Sequence, residues 1–292
     1  ITRWGTHSAK WDLLAAHLGE DALSLSVADM EFATCPEVSR AIVDACAEGI
    51  FGYTELHDDY REAAARWQER RHGWELEPGD VHFFPRIVQC VSALCSIVLP
   101  GSRVRPPRVV TLDPAYGPII EVVERAGCEL RRVPLDLSGE TPQIPEELFA
   151  RAMQNADLLL WCSPHNPTGK VWRREELETM AALCQKHGVR VISDEIHMDM
   201  TWGEHRHIPW SEVAQGPWAL FTSGSKSFNI PAFTGAYGFI PEENERDSYL
   251  QALKGRDGLS SPSVPALVAH IAAYRDGAPR LDALRDYLQA NM

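Results

Sequence analysis

The stretch "PWALFTSGSKSFNIP", residues 217–231, decides how the rest of the chain is read. Its first part is a short apolar run; its second is a turn of small hydroxyl and glycine residues around a single cation, Lys226. An apolar run ending in a small-residue turn has the pattern of a buried strand that delivers its last residues into a cleft. Two readings of Lys226 are open at this point: a solvated turn lysine, or a nucleophile of the kind that forms a Schiff base.

The same pattern recurs along the chain. "RVVTL" (108–112) runs into "DPAYGP", "DLLLWCS" (157–163) into "PHNPTGK", and "VRVISDE" (189–195) into "IHMDM". "ELRRVPL" (129–135) and "GAYGFI" (235–240) read as further strands. Helical patterns alternate with them. "PEVSRAIVDACAEG" (36–49) opens on proline and stops at glycine, "YREAAARWQERRHG" (60–73) ends in basic residues and glycine, and "REELETMAALCQKHG" (174–188) behaves alike. Strand and helix in alternation predict an α/β fold with a mostly parallel sheet covered by helices on both faces. Ligands of such sheets bind at the carboxyl ends of the strands, where the polar clusters fall.

Composition narrows the function classes. The 292 residues carry 41 acidic against 28 basic side chains, a formal net charge of -13, which argues against a phosphate-tracking nucleic-acid binder or an anionic membrane surface. Apolar runs such as "ADLLLW" (156–161) are too short to span a bilayer, and no signal peptide opens the sequence. Seven cysteines without a C-x-x-C pair read as reduced thiols, which points to a cytoplasmic globular protein. His197, His205 and His207 lack the spacing and supporting ligands of a metal site. "APRLDALRDYLQANM" (278–292) has Leu281, Leu284 and Leu288 on one helix face, which suggests a chain cut before the element that covers it.

Taken together, "SPHNPTGK", "ISDEIHMDM" and "SGSKSFNIPAFTGAYG" resemble the fold-type I pyridoxal 5'-phosphate (PLP) enzymes, in the cystathionine β-lyase branch of the MalY/PatB type. The resemblance extends from "ITRWGTHSAKWD" and "SVADMEFATCP" through "FGYTE" to "LKGRDGLSSPS". It implies the aspartate-aminotransferase-like large domain, with Lys226 as the residue that carries PLP covalently and moves the substrate's Cα proton. Asp194 would pair with the pyridine nitrogen, Asn166 would bond the ring's phenolic oxygen, and Tyr116 would stack on the ring. His197 is implied as a neighbour of Asp194. Ser223 and Ser225, with Ser223 the better match, and the backbone amides of Ile87 and Val88 at a helix start would hold the phosphate. Tyr53 would reach across a two-fold interface to the partner's phosphate, making the unit a homodimer.

Three departures from the family pattern stand out. Arg86 replaces the usual small residue beside the phosphate amides; it reads either as a bidentate phosphate ligand or as a solvated side chain. Thr234 stands where aminotransferases place a phosphate-binding arginine, eight residues after the lysine, which favours the lyase branch. The arginine that clamps the substrate carboxylate has no counterpart. The resemblance divides the chain into an N-terminal arm with part of a small domain (1–40), a large PLP-binding domain (41–277) and the start of an interdomain helix (278–292), with the C-terminal small domain missing. The function expected is a carbon–sulfur β-lyase that takes cystathionine or related cysteine S-conjugates to a thiol, pyruvate and ammonia. A PLP-dependent aminotransferase and a non-catalytic binding or regulatory protein on the same fold stay open beside it.

Overall fold

Helices begin and end where the sequence places its start and stop residues. The computed structural model describes residues 3–19, 21–97, 105–259 and 261–292; Ile1 and Thr2 of the opening motif and Ser260 of "LKGRDGLSSPS" lie outside them. Pro36 opens α1 (Pro36–Ala47), and Gly73, at φ 69°, closes α2 (Asp58–His72) in the left-handed conformation that a residue without Cβ adopts freely. There follow β1 (His82–Phe84), α3 (Ile87–Ile97), β2 (Arg108–Asp113), α4 (Gly117–Arg125), β3 (Glu129–Pro134), α5 (Glu146–Met153) and β4 (Leu158–Cys162). The second half holds α6 (Arg174–His187), β5 (Arg190–Asp194), β6 (Trp218–Thr222), β7 (Ala236–Phe239), α7 (Glu243–Gly255), α8 (Val264–Asp276) and α9 (Ala278–Ala290).

The strands form one sheet in the order β1-β7-β6-β5-β4-β2-β3. All neighbours run parallel except β7, which is antiparallel to both β6 and β1. The mostly parallel α/β sheet expected from the alternation is therefore present. Strand β1 has no counterpart in the sequence reading, because three residues at a sheet edge are too few to show a period. The chain moves outward from β2 to β3 and then returns to place β4 on the other side of β2. That reversal opens a crevice at the strand ends, the usual ligand position in open α/β sheets.

Side chains alternate across the sheet with period two and build a core on each face. Val110, Leu159, Trp161, Val191, Leu220 and Tyr237 join one core with residues of α2, α6 and α8. Val109, Leu158, Leu160, Ile192, Ala219 and Phe221 join the other with residues of α3, α4 and α7. Sheet strands buried on both faces read as continuous apolar runs, which is why β4 and β6 were legible as strands. In α9, Leu281 and Leu284 are buried within the chain and Leu288 is half-buried, so much of that apolar face finds cover here.

Candidate functional site

The carboxyl ends of β4, β5 and β6 and the turn after β2 meet at a cavity of about 460 Å³. Its lining brings together Lys226, Asp194, Asn166, Tyr116, His197, Ser223, Ser225, Arg86, Ile87 and Val88, all residues singled out from the sequence. A second, more open cavity of about 670 Å³ runs beside it and shares Asn166 and His197, but neither Lys226 nor Asp194 lines it. The residues singled out from the sequence are concentrated in the smaller one.

The small residues around Lys226 answer a packing requirement. Gly224 N–H donates to Tyr274 Oη at 2.9 Å, and a Cβ on Gly224 would lie 2.8 Å from Tyr274 Cε1. A Cβ on Gly235 would lie 2.6 Å from the His270 ring. Helix α8 thus presses directly on the turn, and only residues of minimal size let the turn lie flat against it.

Lys226 is half-buried, and its ammonium donates to the Ala28 carbonyl at 3.3 Å. Burial draws its pKa below the ordinary lysine value, with the charges of Asp29 and Asp194 opposing the shift. Asp194 ends β5 and is buried; its carboxyl group accepts one hydrogen bond, from Ile196 N–H at 3.1 Å, among the described residues. Burial in this apolar setting pushes its carboxyl up to about 7. His197 is drawn down to about 4, first by burial and then by the Lys226 charge, so its ring is neutral at pH 7. Tyr116 is the N-cap of α4, with 43% of its surface exposed; burial of the remainder and then the Asp194 charge raise its phenol pKa.

The anion-binding end is built from the start of α3 and the turn after β6. Ile87 and Val88 stand in the first helical turn, whose N–H groups have no intrahelical partner. Arg86 precedes them with its side chain exposed, and its carbonyl accepts from Cys90 N–H at 3.0 Å. The two serines differ. Ser223 Oγ donates to the Gly235 carbonyl at 2.7 Å and accepts from Ser225 N–H at 3.1 Å. The Ser225 hydroxyl and the Asn166 side-chain amide make no hydrogen bond among the described residues, although both line the cavity. Buried or half-buried polar groups without protein partners mark a place for a polar ligand. An amine, a buried carboxyl, a free amide and a set of anion donors fit PLP, with its carbonyl, ring nitrogen, phenolic oxygen and phosphate.

Tyr53 is the one candidate the chain does not bring to the cavity. It lies in the loop between α1 and α2, fully exposed at 108% relative surface, near the exposed Ile50 and Phe51. No group of three or more His, Cys, Asp or Glu among the described residues is placed to hold a metal ion. His207 is instead buried against Glu195 at 2.6 Å.

Three features of the site escaped the sequence. Asp199, fully buried behind the lysine turn, accepts from His72 Nε2 (2.9 Å), Trp67 Nε1 (3.1 Å) and Ser227 Oγ (2.6 Å). Ser26, Val27 and Ala28 form part of the cavity's lining. Asn229, three residues after Lys226, binds that segment's continuation at Met30 and Phe32. Asp199 had a sequence signal, since it closes "DEIHMD"; the segment and its anchor are separated by about two hundred positions and had none.

This fold is that of PLP-dependent, aminotransferase-fold proteins. The chain belongs to the aminotransferase class I and II family, whose model matches residues 20–292. It is 47% identical to Protein MalY of Escherichia coli over 100% of this chain and 75% of that protein. It is 34% identical to the cystathionine β-lyase PatB of Bacillus subtilis, over 99% of this chain and 75% of the relative. Among solved structures, the PLP-bound C-S lyase from Staphylococcus hominis superposes with a TM-score of 0.89 at 26% identity, covering 100% of this chain and 73% of that one. The resemblance read from the motifs is therefore borne out.

Proposed function

We propose that this protein is a PLP-dependent carbon–sulfur β-lyase, acting on cystathionine or related cysteine S-conjugates with water to give a thiol, pyruvate and ammonia. The observation that carries it is the convergence of Lys226, Asp194, Asn166 and Tyr116 on one cavity, in a chain of the MalY and PatB branch. PLP, when bound, supplies an electron sink for the pair left on the substrate Cα.

The chain's own residues do the rest. Lys226 Nζ holds the cofactor covalently between turnovers, and once free it takes the proton from Cα; burial favours its neutral, basic form. Asp194 binds the ring nitrogen and keeps a proton there. Asn166 donates to the phenolic oxygen, and Tyr116 packs on the ring. Ser223, Ser225, Arg86 and the first-turn amides of Ile87 and Val88 hold the phosphate. His197, half-buried and neutral, lines the cavity with Asp194 without adding charge. Thr234 in place of a phosphate-binding arginine supports the lyase reading over transamination.

Tyr53 serves the cofactor phosphate of a second copy, and the functional unit is a homodimer; the full exposure of Tyr53 with Ile50 and Phe51 supports this. Residues 41–277 form the PLP-binding domain, 1–40 an arm with part of a smaller domain, and 278–292 the start of an interdomain helix. No helix among the described residues is long and apolar enough to cross a membrane, all seven cysteines are free thiols, and we place the protein in the cytoplasm.

The test is product analysis. Incubation with L-cystathionine and PLP releases pyruvate without any keto-acid acceptor; dependence on an acceptor would instead make the protein an aminotransferase. Borohydride reduction and peptide mapping place the pyridoxyl group on Lys226; a label on Lys170 or Lys254 overturns the assignment.

A further inference from the structure

Residues 26–33 carry no helix or strand, yet they form one wall of the cavity, with Ala28 accepting from Lys226. Backbone without a ladder partner needs its hydrogen bonds from elsewhere. Here the side chain of Asn229 supplies them. Its Oδ1 accepts from Met30 N–H at 2.9 Å, and its Nδ2 donates to the Met30 carbonyl at 2.8 Å and to the Phe32 carbonyl at 2.7 Å. The amide pairs with Met30 as the peptide group of a neighbouring strand would. Asn229 itself stands at φ 55°, a left-handed conformation that asparagine tolerates better than other residues with a Cβ.

The strap is gripped on its other sides too. Lys10 Nζ contacts Glu31 at 2.6 Å and donates to the Asp29 carbonyl at 2.8 Å. Arg280 donates to the Ala33 carbonyl at 3.1 Å, and Phe32 meets Tyr287 edge-on at 5.4 Å. Of these anchors, Asn229 alone belongs to the turn that bears Lys226. It therefore fixes the distance between strap and lysine, whereas the others fix the strap to the N-terminal segment and to α9.

We propose that Asn229 is a positioning residue for substrate binding: its amide holds the strap of residues 26–32 over Lys226, so that Val27 and Ala28 form a fixed wall for the amino-acid substrate. The inference rests on the lyase reading for its substrate and on the geometry alone for its clamp. Of the groups assigned to PLP, Lys226 alone hydrogen-bonds to the strap among the described residues; the others are held by the strand ends and α3, so releasing the strap leaves cofactor binding in place.

Two variants of the PLP-loaded protein separate the amide from the backbone conformation. Asn229→Gly keeps the left-handed turn and removes the side chain. Asn229→Asp keeps the acceptor for Met30 N–H but sets a carboxylate against the Met30 and Phe32 carbonyls. In Asn229→Gly, hydrogen exchange at the Met30 amide accelerates at least about tenfold. In both variants KM for L-cystathionine rises about tenfold or more, with kcat within about threefold and PLP absorbance unchanged. A general loss of structure would lower kcat and PLP content together, so the split between KM and kcat is the diagnostic. If Asn229→Gly does not fold, Asn229→Asp decides by the same split. Unchanged KM in the variants, or loss of PLP with the rise in KM, overturns the proposal. Wild-type protein that takes up no PLP overturns the functional reading instead, and Met30 exchange then decides the clamp by itself.

Discussion

Ser227 Oγ donates a 2.6 Å hydrogen bond to Asp199, which ties the residue next to Lys226 to a fully buried carboxylate. The same carboxylate takes His72 and Trp67 from α2. One anion thus joins the lysine turn to α2, whose Trp67 also packs on Phe228 of that turn.

Replacing Asp199 with Asn tests that junction. Burial alone would raise the carboxyl's pKa, but the bonds from His72, Ser227 and Trp67 outweigh it and hold the group below the usual range. Its contribution is therefore full above about pH 4 and is lost as pH falls through the depressed value. Asp199→Asn should cost about 2–4 kcal/mol at pH 7, read as a lower denaturation midpoint. A midpoint within about 0.5 kcal/mol of wild type would show the network to be dispensable.

Asp194 has the opposite sign. Its carboxyl is raised to about 7 in the folded, cofactor-free chain, against roughly 3.9 when unfolded. The folded state then holds the extra proton between those values, so stability falls as pH rises from about 4 to 7, by on the order of a few kcal/mol. Denaturation of the cofactor-free protein at pH 5, 6, 7 and 8 should show this slope, and Asp194→Asn should flatten it. Equal slopes in both would remove Asp194 as its source. The same variant, loaded with PLP, should lose elimination activity by far more than it loses cofactor affinity.

Gly224→Ala introduces a methyl group 2.8 Å from Tyr274 Cε1 and 3.1 Å from Phe228 Cδ2. Overpacking of this kind costs about 1–3 kcal/mol, and here it also displaces the Lys226 turn. Adding Tyr274→Leu should recover part of the stability relative to the sum of the single changes, a coupling that thermal unfolding measures. Strict additivity would place the strain elsewhere.

The homodimer is tested by complementation. A Lys226→Ala chain and a Tyr53→Ala chain, each inactive alone, are mixed with tags that report subunit exchange. In a mixed dimer one site carries both defects and the other neither, so activity returns to about half of the native sites in each heterodimer. Heterodimers that form but recover nothing would mean that Tyr53 serves its own subunit.

The local chemistry of the chain was legible in its sequence. The runs at 157–163, 189–195 and 218–223 had to be strands because apolar residues on both faces leave no other use for so short a segment. The polar clusters that follow had to lie at their ends, and with the motif order they identified Lys226, Asp194, Asn166 and Tyr116 as one site. What only the tertiary structure decided are contacts between segments with no common period. Asn229 with Met30, Asp199 with His72, and α8 against Gly224 depend on where crossovers return the chain. So does the direction of β7, which shares its apolar pattern with the parallel strands. A sequence pattern reports the environment of each residue; the partner that supplies that environment is fixed only when the sheet order is formed.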